Sequence, residues 1–270
     1  MIHLKSPREI QLMKEAGGLL AEVFITALDC AEPGRCTIEL DEVAEAKIRD
    51  GGARPAFKGY QGSGSAPFPG TACISIDEVV VHGIPSERQF QTGQIVGVDI
   101  GLELNGWYAD MAVSVLIGEV NADIRKLWQV TREALYIGID QIRPGNRIRD
   151  IGAAIQEHVD SFGFGIIRDL VGHGIGSNLH EEPSIPNYYS ADARTKIKPG
   201  MTLAVEPMIA LGDWRIKITS DRWSAATRDS SPTAHFEHTI LATEGDPEIL
   251  TLLPDGRDPW LVVTEQVEAN

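Results

Sequence analysis

Two stretches of this chain repeat one another at a constant offset, and that echo restricts the folds open to it. Leu28-Asp29 followed by Glu32-Pro33-Gly34 matches Ile139-Asp140 followed by Arg143-Pro144-Gly145. Beyond the Pro-Gly break, Leu40, Val43, Ala44 and Ile48 align with Ile151, Ala154, Ile155 and Val159. Each copy reads as an amphipathic helix, a break, a second amphipathic helix and a glycine exit toward β structure, Gly51-Gly52 in one and Gly163-Phe164-Gly165 in the other. A Pro-Gly match alone is commonplace, but the apolar positions matched after it point to duplication. The expectation is two α+β halves, about residues 10–118 and 119–250, packed as a single domain over 1–270 around a shared sheet. No Pro/Ser-rich linker divides them, and the loop from Gln61 to Pro67 (Q-G-S-G-S-A-P) is the only flexible-looking interruption.

Within the first half, V-D-I-G-L-E-L-N-G-W-Y-A-D runs from Val98 to Asp110 with Asn105-Gly106 at its centre. A two-residue Asn-Gly loop favours a type I′ hairpin turn, which fixes the register of its strands. Leu104 then faces Trp107, Gly101 faces Asp110, and Asp99 faces Ala112. Side chains alternate with a period of two, so Asp99, Gly101 and Asp110 share one face, with the glycine clearing space between the acids. The other face (Val98, Ile100, Leu102, Met111, Val113, Val115) reads as core. Two neighbouring carboxylates repel unless they share a proton or a cation. A solvated edge with two harmless acids remains the bland alternative.

Composition narrows the function classes. With 270 residues the chain can bury a sizeable core. No apolar run is long enough to span a bilayer, and no signal peptide is expected at the N-terminus, which reads instead as a capped helix start, Ser6-Pro7-Arg8-Glu9. Three cysteines, Cys30, Cys36 and Cys73, form no paired-ligand spacing, as expected of a reduced, cytoplasmic protein. A net charge of −15 argues against a broad nucleic-acid footprint and permits a cationic partner.

The second half adds further candidates. His173 stands in Gly172-His173-Gly174-Ile175-Gly176, where flanking glycines would keep its imidazole exposed and let a ligand approach, and His180-Glu181-Glu182-Pro183 follows. The two histidines lack the i, i+4 spacing of a helical zinc motif. Glu206 interrupts the apolar run Met201–Met208, and Glu237 opens another, Phe236–Leu241. Each acid alone is better explained as a strand-end charge. Together, two aspartates on one hairpin face, two acids in apolar strands and a histidine suit a pair of divalent cations.

The ordered set Asp99, Asp110, His173, Glu206 and Glu237 resembles the dinuclear metal centre of the methionine aminopeptidases. Flanking motifs carry the resemblance along nearly the whole chain: Cys73-Ile74-Ser75-Ile76, Glu78 to Pro85 (E-V-V-V-H-G-I-P), Gly-His-Gly-Ile-Gly, His-Glu-Glu-Pro, Val205-Glu206-Pro207-Met208, Trp223 and Glu237-His238-Thr239. The short interval from His180 to Glu206 leaves no room for the helical insertion of type II enzymes, so the likeness is to type I in its short bacterial form, without a zinc-finger extension. Leu170, Leu179, Phe57, Phe68 and the Gly62–Pro67 stretch depart from the family pattern around the pocket.

The resemblance implies the α+β "pita-bread" fold, with an internal pseudo-twofold and a central curved antiparallel sheet. It implies removal of the initiator methionine from nascent polypeptides when the second residue is small, by a cytoplasmic monomer holding two divalent ions (Co, Mn, Fe or Zn). Asp99 is then expected to chelate one ion, Asp110 and Glu237 to bridge both, and His173 and Glu206 to complete the second site. Glu206 is the expected general base, His180 the group polarising the scissile carbonyl, and His82 a contact to the amide nitrogen. Tyr60, Phe68, Cys73, Leu179 and Trp223 are expected to line the methionine pocket, aromatic rings and sulfur suiting a thioether. His235 shares parity with Glu237 but is left out of the set; His3 is terminal and His158 lies in an expected helix, neither with a functional role, and His238 is expected to point away. Rival readings are an X-Pro dipeptidase or aminopeptidase of the same fold, a non-catalytic binding module, and a two-metal phosphatase. Docking on the ribosome is left open, and neither a membrane nor sequence-specific nucleic acid is expected as a partner.

Overall fold

Ser6, Pro7 and Glu9 begin the first helix as their sequence requires. The Glu9 carboxylate accepts the Ser6 backbone N–H at 2.6 Å, while Ser6 Oγ accepts the Glu9 N–H at 3.4 Å. The structure, a computed structural model, describes residues 2–62 and 66–261. The Gly62–Pro67 stretch therefore falls in part outside the described residues. Helix α1 (Pro7–Leu28) is followed by α2 (Thr37–Asp50), and α3 (Ala122–Ile139) by α4 (Ile148–Asp160). Each pair packs together and exits into a two-residue strand, β1 (Arg54–Pro55) or β6 (Gly165–Ile166). The remaining strands are β2 (Ala72–Ile76), β3 (Val79–Val81), β4 (Ile95–Leu104), β5 (Trp107–Leu116), β7 (Gly172–Gly174), β8 (Glu181–Ile185) and β9 (Thr202–Val205). After these come β10 (Met208–Ala210), β11 (Ile216–Ile218), β12 (Ala225–Thr227), β13 (Thr233–His235), β14 (His238–Leu241) and β15 (Glu248–Ile249).

The β4–β5 hairpin has the register its turn chemistry demands. Asn105 and Gly106 have φ of 54° and 86°, the two positive values of a type I′ turn, and Leu104 pairs with Trp107, Gly101 with Asp110 and Asp99 with Ala112. Val98, Ile100, Leu102, Met111 and Val113 are buried on the opposite face, in one core with Leu20 and Phe24 of α1, while Val115 at the strand end is partly buried. Along its other edge β4 pairs with β2 and β1.

A second antiparallel sheet runs β15–β14–β9–β7–β8. The two sheets join at one bridge, where the Glu237 N–H donates to the Ala112 carbonyl at 2.8 Å and the Ala112 N–H to the Glu237 carbonyl at 3.4 Å. A continuous antiparallel surface thus passes from β4 through β5 into β14, β9 and β7. Helix α1 packs on β4 and β5 and α3 on β9, β10 and β13, burying Leu203, Val205 and Ile240 together with the hairpin's apolar face. This is the α+β pita-bread architecture. Its helices cover one sheet face and leave the other to polar side chains. No helix among the described residues is long and apolar enough to cross a membrane.

Candidate metal centre

On the uncovered face, strand pairing lines up two rows. Asp99 and Glu237 flank Ala112, which pairs with both. His173 and Thr239 flank Ala204 in the same way. Asp110 lies two residues before Ala112 and Glu206 two after Ala204, so pleat alternation keeps both on this face. Alanine at the middle of each row leaves room above the floor for whatever the acids hold. Thr239 pins the two rows together, its Oγ1 donating to the Asp110 carbonyl at 2.9 Å and accepting the Asp110 N–H at 3.1 Å.

The five expected ligands converge. His173 Nε2 lies 3.6 Å from Glu206 Oε1 and 4.0 Å from Asp110 Oδ2. Ligand atoms of Asp110, His173 and Glu237 all lie within 4.8 Å of one another, as do those of Glu206, His235 and Glu237. The Gly174 carbonyl accepts a hydrogen bond from His173 Nδ1 at 2.8 Å, so Nδ1 carries the proton and the Nε2 lone pair faces the acids.

Burial strains the electrostatics of this cluster. Desolvation pushes the Asp99, Glu206 and Glu237 carboxyls well above the ordinary carboxylate range, and the Asp110 charge beside each adds to the rise. Desolvation also lifts Asp110, to about 7, against hydrogen bonds from the Met111 N–H and from Asp99 that pull it down. Asp99 and Asp110 thus share a hydrogen bond that raises one and lowers the other, the shared proton two adjacent acids need without a cation. Desolvation lowers His173 to about 4, with His180 beside it adding to the drop, and lowers His235 to about 3, with His82 adding there. Both imidazoles are neutral at pH 7, so their approach to the carboxylates is no ion pair.

Divalent cations fit this donor set. Asp99 Oδ1, Glu237 Oε1 and His235 Nε2 are buried without a hydrogen-bond partner, and buried polar atoms are normally satisfied. Carboxylate oxygens together with a neutral imidazole nitrogen suit borderline divalent ions.

Three features differ from the sequence reading. His173 is buried rather than exposed. Its flanking glycines serve strand packing: a Cβ on Gly172 would stand 2.4 Å from the Ala204 carbonyl oxygen, and one on Gly174 2.2 Å from that of Glu182. The space above Gly101 is filled by Phe57, whose ring a Cβ there would meet at 2.8 Å, and so is not an open gap between the aspartates. His235, outside the expected ligand set, comes within 3.7 Å of Glu206 and 4.0 Å of Glu237. Its parity with Glu237 was the only available signal.

The remaining candidates line a single cleft of about 940 Å³ that also contains the four acids, His173 and His235. Phe68, Cys73 and Leu179 are buried with Phe57 in one small apolar cluster, against which Trp223 packs. The rings of Phe68 and Trp223 meet edge-to-face at 5.3 Å, and Trp223 stands edge-to-face with His82 at 6.3 Å. Tyr60 Oη lies 3.1 Å from His180 Nδ1, and the His180 ring is 4.4 Å from that of His173. His180 is reachable from the cleft, yet its walls lower the imidazole pKa; His82 is lowered by burial and by His180. His82 also holds a left-handed φ of 59°, a conformation non-glycine residues adopt only when surroundings enforce it. His238 turns away as expected, with Nδ1 2.8 Å from Thr251 Oγ1 and Nε2 2.8 Å from Asp258 Oδ1.

Comparison with known proteins agrees with this geometry. Residues 11–244 match metallopeptidase family M24. Methionine aminopeptidase 1 of Bacillus subtilis is 43% identical over 251 residues, which cover 93% of this chain and 99% of that relative. The crystal structure of methionine aminopeptidase from Thermotoga maritima aligns with a TM-score of 0.89 at 43% identity, over 93% of this chain and 99% of that one. The prolidase from Pyrococcus horikoshii has a TM-score of 0.75 at 20% identity, over 93% of this chain and 63% of that one, a likeness of fold alone.

Proposed function

Since the chain belongs to metallopeptidase family M24, we propose that it is a metal-dependent methionine aminopeptidase, hydrolysing the first peptide bond of polypeptides that begin with methionine and a small residue. The observation that carries this is the convergence of Asp99, Asp110, His173, Glu206 and Glu237 on one sheet face beside a thioether-compatible apolar cluster. Asp99, Asp110, His173, Glu206 and Glu237 would hold two divalent ions, Asp99 serving one, His173 and Glu206 the other, and Asp110 and Glu237 both. Bound there, the ions would supply Lewis acidity and an acidified water at neutral pH.

The chain's own groups do the rest. Glu206 takes the proton of the attacking water as its oxygen adds to the scissile carbonyl carbon, and returns it to the leaving amide nitrogen as the C–N bond breaks. The products are free methionine and a peptide shortened by one residue. His180, held by Tyr60, donates to the oxygen on which negative charge develops. His82, neutral and facing the same cleft, contacts the substrate's amide nitrogen. Phe68, Cys73, Leu179 and Trp223 enclose the methionine side chain, with Tyr60 at the rim.

The chain is read as one catalytic domain of two halves, about 10–118 and 119–250, working as a monomer in the cytoplasm on nascent N-termini, where ribosome docking would place it. The cytoplasm suits its three free cysteines. The test is to strip the protein with a chelator and restore Co²⁺, Mn²⁺, Fe²⁺ and Zn²⁺ one at a time. Met-Ala-Ser cleavage should return with at least one ion. Faster turnover of X-Pro peptides would move the protein to the prolidases, faster phosphoester turnover to the phosphatases. No turnover with any ion would make it a binding module.

A further inference from the structure

β13 ends at His235, and side chains two apart on extended backbone share a face, so this imidazole stands beside the Glu237 carboxylate. The residue is 3% exposed, and its Nε2 has no hydrogen-bond partner among the described residues. That nitrogen lies 3.7 Å from Glu206 Oε2 and 4.0 Å from Glu237 Oε2. Neither distance is a hydrogen bond, which would need about 2.7–3.2 Å. Two donors bound to one ion at about 2.0–2.2 Å, in contrast, stand no more than about 4.4 Å apart, and both separations fall within that limit. A satisfied core histidine would have spent this nitrogen on a neighbour. The uncovered face therefore holds two overlapping donor groups that share Glu237, Asp110 with His173 and Glu206 with His235.

We infer that His235 is a further metal ligand, holding an ion jointly with Glu206 and Glu237, so that the loaded centre carries two imidazoles. The inference rests on the metallopeptidase reading and deepens it. An added imidazole favours Zn²⁺, Co²⁺ and Fe²⁺ over Mn²⁺, which prefers oxygen donors. The second ion should therefore be held selectively.

Calorimetric titration of chelator-stripped protein with Zn²⁺, Co²⁺ or Mn²⁺ tests this, comparing wild type with His235→Gln and His235→Ala. Both substitutions should weaken Zn²⁺ and Co²⁺ at one of two sites by ~10-fold or more, with a smaller change for Mn²⁺. Gln preserves size and hydrogen bonding but is a poor ligand for these ions. A Gln variant that binds them like wild type, whatever the Ala variant does, would make His235 a hydrogen-bonding or space-filling residue and overturn the inference. Nitrogen-15 NMR of histidine-labelled, Zn²⁺-loaded wild type needs no variant: two imidazoles, His173 and His235, should show metal-bound nitrogen, and one alone overturns the inference. Wild type that takes up no ion and cleaves no Met-Ala-Ser overturns the metallopeptidase reading as well. Wild type that binds and cleaves, beside variants with unchanged affinities, overturns the His235 assignment only.

Discussion

Asp110 lies 4% exposed beside Asp99 and His173, and burial moves its pKa from the ordinary 3.8 to about 7. A carboxyl whose pKa is higher folded than unfolded favours the folded state while protonated. That contribution is complete below the unfolded pKa and is lost as pH rises to about 7. Asp110→Asn removes this loss and part of the repulsion among the remaining acids. The chelated variant should thus outlast chelated wild type by a margin that opens between about pH 4 and pH 7 and reaches ~1 kcal/mol or more, about 2–4 °C for a chain of this size. Added metal should raise the melting temperature of wild type but not of the variant. Melts across pH, with and without metal, check both halves; an equal metal shift in the variant would take Asp110 out of the centre. His180 and His82 touch no expected ion, so His180→Ala and His82→Ala should keep their metal and lose ~10²-fold in turnover. Metal analysis beside kinetics distinguishes this from loss of a ligand.

Short elements carry the site, and their tolerance to change follows from what lies against them. Gly106 needs a positive φ in open space, so Gly106→Ala should cost only ~1 kcal/mol of backbone strain and leave metal affinity intact. Gly174→Ala drives a methyl into the Glu182 carbonyl, so it should push β7 off β8, displace His173 and abolish tight metal binding, which denaturant melts and metal titration would show. At the end of the same segment, buried Lys5 holds Glu181 at 2.7 Å beside His180. Lys5→Met leaves that carboxylate uncompensated and should cost on the order of 3 kcal/mol; adding Glu181→Leu should recover most of it. The hairpin was legible because Asn-Gly sets register locally and places Asp99 and Asp110 by counting. The helix pairs were legible from their periodicity and Pro-Gly breaks. His173's burial was not, because it depends on β9 pairing with β7 from beyond the local Gly-His-Gly pattern. Nor was His235 assignable, since Glu237 bridges to Ala112 across more than a hundred residues and no local pattern encodes that contact.

The cleft belongs to the whole molecule: Asp99, Asp110 and His82 come from the first half of the chain, and His173, His180, Glu206 and Glu237 from the second. Under the proposed function, a substrate threaded between them would place its methionine against Phe68, Cys73, Leu179 and Trp223, and its second residue between His82, His180 and the acids. His82 is fixed there by its constrained backbone and by Trp223, which is itself tied by its Nε1–H to the Ala66 carbonyl at 3.0 Å. These walls cannot retreat independently, because each is anchored to a different part of the fold. A side chain branched at Cβ, such as isoleucine, presents its bulk where the second residue must pass closest to the acids. Forcing it in costs ~1–3 kcal/mol of overpacking in the transition state, or about 5–150-fold in rate. Met-Ala-Ser should therefore be cleaved faster than Met-Ile-His by a factor in that range, through kcat/KM, while both peptides release the same methionine. Trp223→Ala should narrow the gap, since removing the brace lets His82 move and admits the larger residue. Parallel kinetics on the two peptides with wild type and Trp223→Ala decide the matter: equal rates in wild type would mean that selectivity does not arise from these walls.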